Sequence, residues 1–352
     1  MVVYNNATGA LMDMLDAVMS TGDTLPSRNG EVKEITSVHM VIEEPQKRCI
    51  MVPKRHDNIF HKIAESMWVM AGRNDVEWLS HYLPRAVDYS DDGKTWRAAY
   101  GYRLRKHFEF DQLELCLDLL KEDPFTRRAV MVIFDPDVDF YPSKDIPCNN
   151  WIQWLIREDD FGERKLQMHV MQRSSDILWG FSGINTFEWS IMHMMMAKWL
   201  GVTVGTLTYS ITSLHLCQPH WKRAEEMLRH YRHSTIYSHD ITYANGFAVP
   251  FDAFDNTMER FFASEAELRE RALCSETGDA FLDECLKMLA MYNEYLRFGG
   301  VNGIIYAIMN NMPDDDFKLA AYEYFSRSNG DLMRENVAMS DYLMNAYEEV
   351  LG

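Results

Sequence analysis

The sequence predicts an α/β fold with a helical C-terminal extension. Over roughly the first 250 residues, strand-like alternation is interleaved with helical periodicity, and beyond residue 250 the texture shifts to helix formers with charged faces. Size agrees: 352 residues, 47% of them hydrophobic, suffice to bury a full core in one large domain or in one domain with an appendage. The domains expected are 1–249 and 250–352.

Residues 7–20 read as a short helix and "EVKEITSVHMVIEE" (31–44) as a half-buried strand. "NIFHKIAESMWVMAG" repeats its apolar residues at helical spacing and stops at Gly72. "DQLELCLDLLKED" (111–123) is a second amphipathic helix, followed by a buried strand in "RRAVMVIF" (127–134), closed by "DPD". "WIQWLIRE" and "KLQMHVMQR" form a hairpin across the polar turn "DDFGER". "NTFEWSIMHMMMAKWLG" (185–201), apolar nearly all round, predicts a helix central to the core. Later helices include "SEAELRERALCSE" and "DAFLDECLKMLAMYNEYLRFG", with no fixed repeat.

Thirty-five basic against 53 acidic residues give a net charge of −18, which opposes a nucleic-acid partner. Apolar runs are broken by charge well short of membrane-spanning length, and the first residues lack a signal-peptide pattern, so a cytoplasmic protein without a membrane partner is expected. Six cysteines show no CxxC spacing, so neither a metal site nor a disulfide framework is indicated.

Each candidate residue has an ordinary reading beside a chemical one. Cys148, in "DIPCNNWIQWLI", is either a small buried hydrophobe or a nucleophile, which would need positive charge or donors nearby to sustain a thiolate. Arg173 and Ser174, in "MQRSSD", could hold a phosphate. Arg127 and Arg128 are either the charged guard of a strand edge or a further anion clamp. His215 and Cys217, in "TSLHLCQPH", share a face if that segment is extended; the histidine is either a satisfied core residue or a catalyst. Glu65 stands on an otherwise apolar helix, where an unpaired carboxylate costs several kcal/mol. Such a group is neutralised, paired or employed as a proton shuttle.

In the order Arg28 ("PSRNG"), Glu65, "TRR", "IPCNNWIQW", "MQRSSD", "GFSGINTFEWS" and "TSLHLCQPH", the chain resembles the thymidylate synthase superfamily, which includes phage deoxypyrimidine nucleotide hydroxymethylases, over roughly residues 25–230. The resemblance implies a large twisted mixed sheet flanked by helices and a homodimer packed through it. Cys148 would attack C6 of a pyrimidine nucleotide, so that C5 takes a one-carbon unit from the co-substrate 5,10-methylenetetrahydrofolate, without a metal. Arg28, Arg173 and Ser174 would bind the 5′-phosphate, with Arg127 and Arg128 reaching in from the partner subunit. Glu65 would organise water and relay protons at the pyrimidine and stand among the folate-site residues, Asp176 would contact the folate ring, Tyr100 lies in the matching "AAYGYRLR", and His215 would approach the sugar. "GFSGIN" is one residue longer than the family loop; counting back from "SLH" with the insertion in the loop places Asn185 at the base-reading position, which suits uracil.

Several positions depart from the synthases: Asn149 replaces a histidine after the cysteine, Val87 stands where a tryptophan packs by the cofactor, Cys217 replaces a tyrosine, and the closing C-terminal run has no counterpart. A site with less exclusion of water favours hydroxymethyl over methyl transfer. The expected activity is therefore conversion of dUMP to 5-hydroxymethyl-dUMP. Ordinary thymidylate synthesis and deoxycytidylate hydroxymethylation are the alternatives within the family. A paralogue that binds nucleotide or folate without turnover is the alternative outside catalysis, although binding alone has no use for a nucleophile.

Overall fold

The computed structural model describes residues 2–27 and 30–352, and Arg28 lies outside them. The chain divides into two units, Met1–Arg48 with Ala64–Leu228 and Cys49–Ile63 with Arg229–Gly352.

The first unit is built on one mixed sheet. Its strands are β1 (Val2–Tyr4), β2 (Asp23–Ser27), β3 (Gly30–Ile42), β4 (Val130–Val132), β5 (Asn149–Glu158), β6 (Arg164–Gln172), β7 (Ser175–Asp176) and β8 (Thr203–Cys217). They follow the order β1-β3-β8-β6-β5-β4, with β2 paired to β3 and β7 to β8. β8 is antiparallel to β3 and parallel to β6, while β5 and β6 are the expected hairpin. Along β5 and β6, Ile152, Trp154, Ile156, Leu166, Met168 and Val170 point into the core. Their neighbours Trp151, Leu155 and Met171 lie half-buried on the other face.

The helices of this unit are α1 (Ala7–Thr21), the Ala64–Met70 part of α2 (Ile59–Met70), α3 (Val76–Ser80), α4 (Tyr100–Arg105), α5 (Gln112–Glu122), α6 (Pro136–Asp139) and α7 (Thr186–Leu200), with α8 (Trp221–His230) beginning at its end. Asn6 starts α1 by accepting from the amides of Thr8 and Gly9, and Asp111 does the same for α5 at Leu113 and Glu114. Every residue of α7 from Thr186 to Ala197 is buried, as its all-round apolar sequence predicts. Gly101 lets α4 approach α2, since a Cβ there would lie 1.9 Å from the Val69 carbonyl oxygen.

The strand expected over 127–134 is only three residues long, and it is half-exposed: Val130 is 39% and Val132 42% accessible. Met131 points into the core, while Val130 and Val132 alternate onto the opposite sheet face, which nothing in the chain covers among the described residues.

His193 on α7 gives a measurable signature of this core. Fully buried, it hydrogen-bonds through Nε2 to the Leu166 carbonyl at 2.7 Å, and burial pushes its pKa from 6.5 down to about 4. An unfolded chain protonates this imidazole below pH 6.5, whereas the native one resists until about pH 4, so stability present above pH 6.5 is lost as pH falls through that window. In urea unfolding, wild type relative to His193→Gln is expected to lose about 2 kcal/mol between pH 7.5 and pH 5.

The second unit is helical: α9 (Phe251–Leu268), α10 (Ala280–Phe298), α11 (Gly303–Asn310), α12 (Asp316–Asn336) and α13 (Asp341–Leu351). Polar contacts join its two chain segments. Tyr237 accepts from the amide of Cys49 at 2.9 Å and donates to Asp316 at 2.6 Å, and Arg327 donates to the carbonyl of Asp57.

Candidate active site

Cys148 sits immediately before β5, half-buried and therefore open to a reactant. Arg173, immediately after β6, lies across from it because the hairpin register brings Asn149 opposite Gln172. The Arg173 guanidinium donates to the carbonyls of Pro147 (2.9 Å) and Ile146 (2.8 Å), and its Nη2 stands 3.9 Å from the Cys148 sulfur. Positive charge at that distance favours a thiolate. Among the described residues Arg173 forms no ion pair, which leaves its charge available to an anionic ligand.

Behind the thiol runs a buried chain of amides. Gln172 Nε2 donates to Asn149 Oδ1 at 2.8 Å and to Asn185 Oδ1 at 3.0 Å, and Trp189 Nε1 reaches the same Asn149 oxygen at 3.3 Å. Asn185 Nδ2 in turn donates to Glu188 Oε1 at 2.7 Å. The Asn185 amide is thereby held in one orientation while keeping a second lone pair and a second N–H, the pair of functions that a uracil edge requires. Gln172 Oε1 and Glu188 Oε2, both buried, have no hydrogen-bond partner among the described residues.

Tyr100, at the start of α4, packs against Trp189 with ring centroids 5.7 Å apart. Burial first, then the nearby negative charges of Cys148, Asp145 and Glu188, hold its phenol well above the usual tyrosine range. It is a neutral hydroxyl beside the thiol. Glu65, buried on α2, faces the same interior. Burial and the charge of Glu65 raise Glu188 well above the ordinary carboxylate range. The two acids are thus close enough to feel each other's charge.

Asn185 is reached through an unusual element. Ile177–Asn185 is π-helical and continues directly into α7. The hydroxyls of Ser182 and Thr186 both bond to carbonyls five residues back, at 2.6 Å each, and Gly183 keeps free the space where a Cβ would lie 2.7 Å from the Leu178 oxygen. This wound segment is the stretch in which the sequence is expected to carry one extra residue.

Asp176 begins the π-helix, its Oδ1 accepting from the amides of Leu178 and Trp179 at 2.9 Å each. Pairing of β7 with β8 sets Asp176 opposite His215, and ligand-type atoms of Asp176, His215 and Cys217 lie within 4.8 Å of one another. Burial and the adjacent Asp176 carboxylate push the Cys217 thiol up to about 11. It stands there as an S–H donor toward Asp176. Ser174 is half-buried between Arg173 and β7. Val87, in a 3₁₀ turn, is exposed, as are Arg127 and Arg128 at the approach to β4; these three are not joined to the cluster within one chain.

Sequence reading missed Gln172 and Glu188. The signal for Glu188 was present: like Glu65, it is an acid inside a helix that is otherwise almost wholly apolar.

A family model described as thymidylate synthase matches residues 10–264. A deoxyuridylate hydroxymethyltransferase of Delftia phage PhiW-14 is 36% identical over 227 residues, 61% of this chain and 61% of that protein. The protein of the same description from Bacillus phage SP01 is 37% identical over 221 residues, 59% of this chain and 56% of its own. A putative thymidylate synthase of Methanothermobacter marburgensis is 27% identical over 221 residues, 62% of this chain and 93% of its own. The chain thus spans about three fifths of the length of these two phage relatives. No helix among the described residues is long and apolar enough to cross a membrane. With the family match covering well over half its length, and a mixed sheet that presents Cys148 beside Arg173, the chain belongs to the thymidylate synthase family.

Proposed function

We propose that the chain is a pyrimidine nucleotide C5 hydroxymethyltransferase, converting dUMP and 5,10-methylenetetrahydrofolate to 5-hydroxymethyl-dUMP and tetrahydrofolate. The observation that carries this reading is the half-buried Cys148 sulfur 3.9 Å from the Arg173 guanidinium, with the oriented Asn185 amide behind it. The two phage relatives described as deoxyuridylate hydroxymethyltransferases support the product assignment.

In this mechanism the Cys148 thiolate adds to C6 of the uracil ring and makes C5 nucleophilic. Arg173, with Ser174 and Arg28, holds the phosphate, and Asn185 accepts from N3–H and donates to O4. His215 and the Cys217 S–H meet the sugar. The folate supplies a one-carbon unit to C5; Trp179, 54% exposed and held by His220 at 2.8 Å, offers a planar ring for it beside Asp176. Glu65 and Tyr100 move protons at the pyrimidine. The half-buried Trp151, Leu155 and Met171 on the outer sheet face support a homodimer, to which each subunit would contribute Arg127 and Arg128 for its partner's phosphate site.

The test is product analysis after incubation with dUMP and 5,10-methylenetetrahydrofolate. Formation of 5-hydroxymethyl-dUMP and tetrahydrofolate is expected. Formation of dTMP with a rise in dihydrofolate absorbance would assign thymidylate synthesis instead, turnover of dCMP in preference to dUMP would overturn the base assignment, and absence of both turnover and covalent trapping by 5-fluoro-dUMP would leave a binding protein.

A further inference from the structure

We propose that Glu188 holds the water molecule that adds to the exocyclic carbon of the pyrimidine, and so is the catalytic carboxylate that commits the reaction to a hydroxymethyl product. The inference rests on the hydroxymethyltransferase reading and assigns a residue to its last chemical step.

Glu188 lies one helical turn after Asn185 on α7, and its two oxygens differ in role. Oε1 accepts from the Asn185 amide at 2.7 Å, which fixes the carboxylate against the group that reads the base. Oε2 has no partner among the described residues although the side chain is 1% exposed. A buried carboxylate oxygen with no protein donor is costly unless a small polar ligand satisfies it, and water is the smallest. Gln172 Oε1, two hydrogen bonds back along the same amide chain, is a second buried acceptor without a protein partner. Both acceptors therefore belong to the network that begins at Asn149, next to the nucleophile.

The chemistry balances without an oxidant or reductant. The water oxygen bonds to the exocyclic methylene carbon, and one water proton passes to Glu188. The π electrons of the exocyclic double bond move through C5 and C4 onto O4. Their return re-forms C5=C6 and breaks the C6–S bond, releasing the Cys148 thiolate. Methyl formation would instead need hydride at the same carbon. Burial and the neighbouring Glu65 charge raise the proton affinity of Glu188, so its ionised form takes a proton from water more readily than an ordinary carboxylate does.

Glu188→Gln preserves the size of the side chain and an acceptor for Asn185 while removing the base. Formation of 5-hydroxymethyl-dUMP is expected to fall about 100-fold. Covalent trapping of Cys148 by 5-fluoro-dUMP and methylenetetrahydrofolate, which precedes water addition, should stay within about threefold of wild type. In H₂¹⁸O the wild-type product should carry the label in its new hydroxyl. A variant with unchanged turnover overturns the proposal, as does trapping that falls in step with turnover, which would make Glu188 a positioning residue for Asn185 only. Should a melting curve show Glu188→Gln unfolded, Glu188→Asp carries the same comparison: slower turnover with intact trapping supports the proposal, and wild-type turnover overturns it. If wild type yields dTMP, the functional reading and this inference fall together; if wild type yields the hydroxymethyl product and the variants match it, only the inference falls.

Discussion

Cys148→Ser is expected to lose at least about a thousandfold in turnover and all covalent trapping by 5-fluoro-dUMP, with dUMP affinity by calorimetry within a few-fold of wild type. The two chemistries separate because, in the proposed mechanism, the side chain and its neighbour act on different parts of the nucleotide. Arg173 is anchored by backbone carbonyls of Ile146 and Pro147, which the substitution leaves untouched, so the anionic end keeps its partner. A serine hydroxyl beside the same guanidinium does not ionise near neutral pH, so addition at C6 stops. Residual turnover above about one per cent of wild type would remove Cys148 from the mechanism.

Glu65→Gln is expected to cost about a thousandfold in turnover, again with nucleotide affinity little changed. Glu65 sits buried on the largely apolar α2, and in the proposed mechanism its carboxyl exchanges protons and does not anchor the substrate. The change carries a second, distinctive readout. The charge of Glu65 is one of the two causes that raise Glu188, so its removal lets Glu188 ionise at lower pH. The acidic limb of the residual pH–rate profile should move down accordingly. A profile unmoved in position, with activity near wild type, would separate Glu65 from the chemistry.

Much of this architecture is legible in the sequence because it depends on short-range regularities. The period of α7, the capping of α5 by Asp111 and the "DDFGER" hairpin are each settled within a dozen residues. What escapes is set by distant partners. Nothing local in 127–134 says that the sheet face bearing Val130 and Val132 is left uncovered within the chain. Nothing in 49–63 says that this segment belongs with 229–352, which is decided by Tyr237 meeting Cys49 and by Arg327 meeting Asp57. At the site, Cys148, Arg173 and Tyr100 are readable as types of residue, and the fold supplies their proximity. Glu188 is different: the reasoning that selects Glu65, an acid on an apolar helix, applies to it equally.

The π-helical stretch from Ile177 to Asn185 bears on how such a pocket changes over generations. An ordinary α-helix turns about 100° per residue, so one inserted codon would swing everything before it by more than a quarter turn around the cylinder. A π-helical winding over nine residues can take up such an addition, with Asp176 tethered to β8 at one end and α7 seated in the core at the other. The wall around the base can thereby lengthen or shorten by a single amino acid without uprooting either anchor.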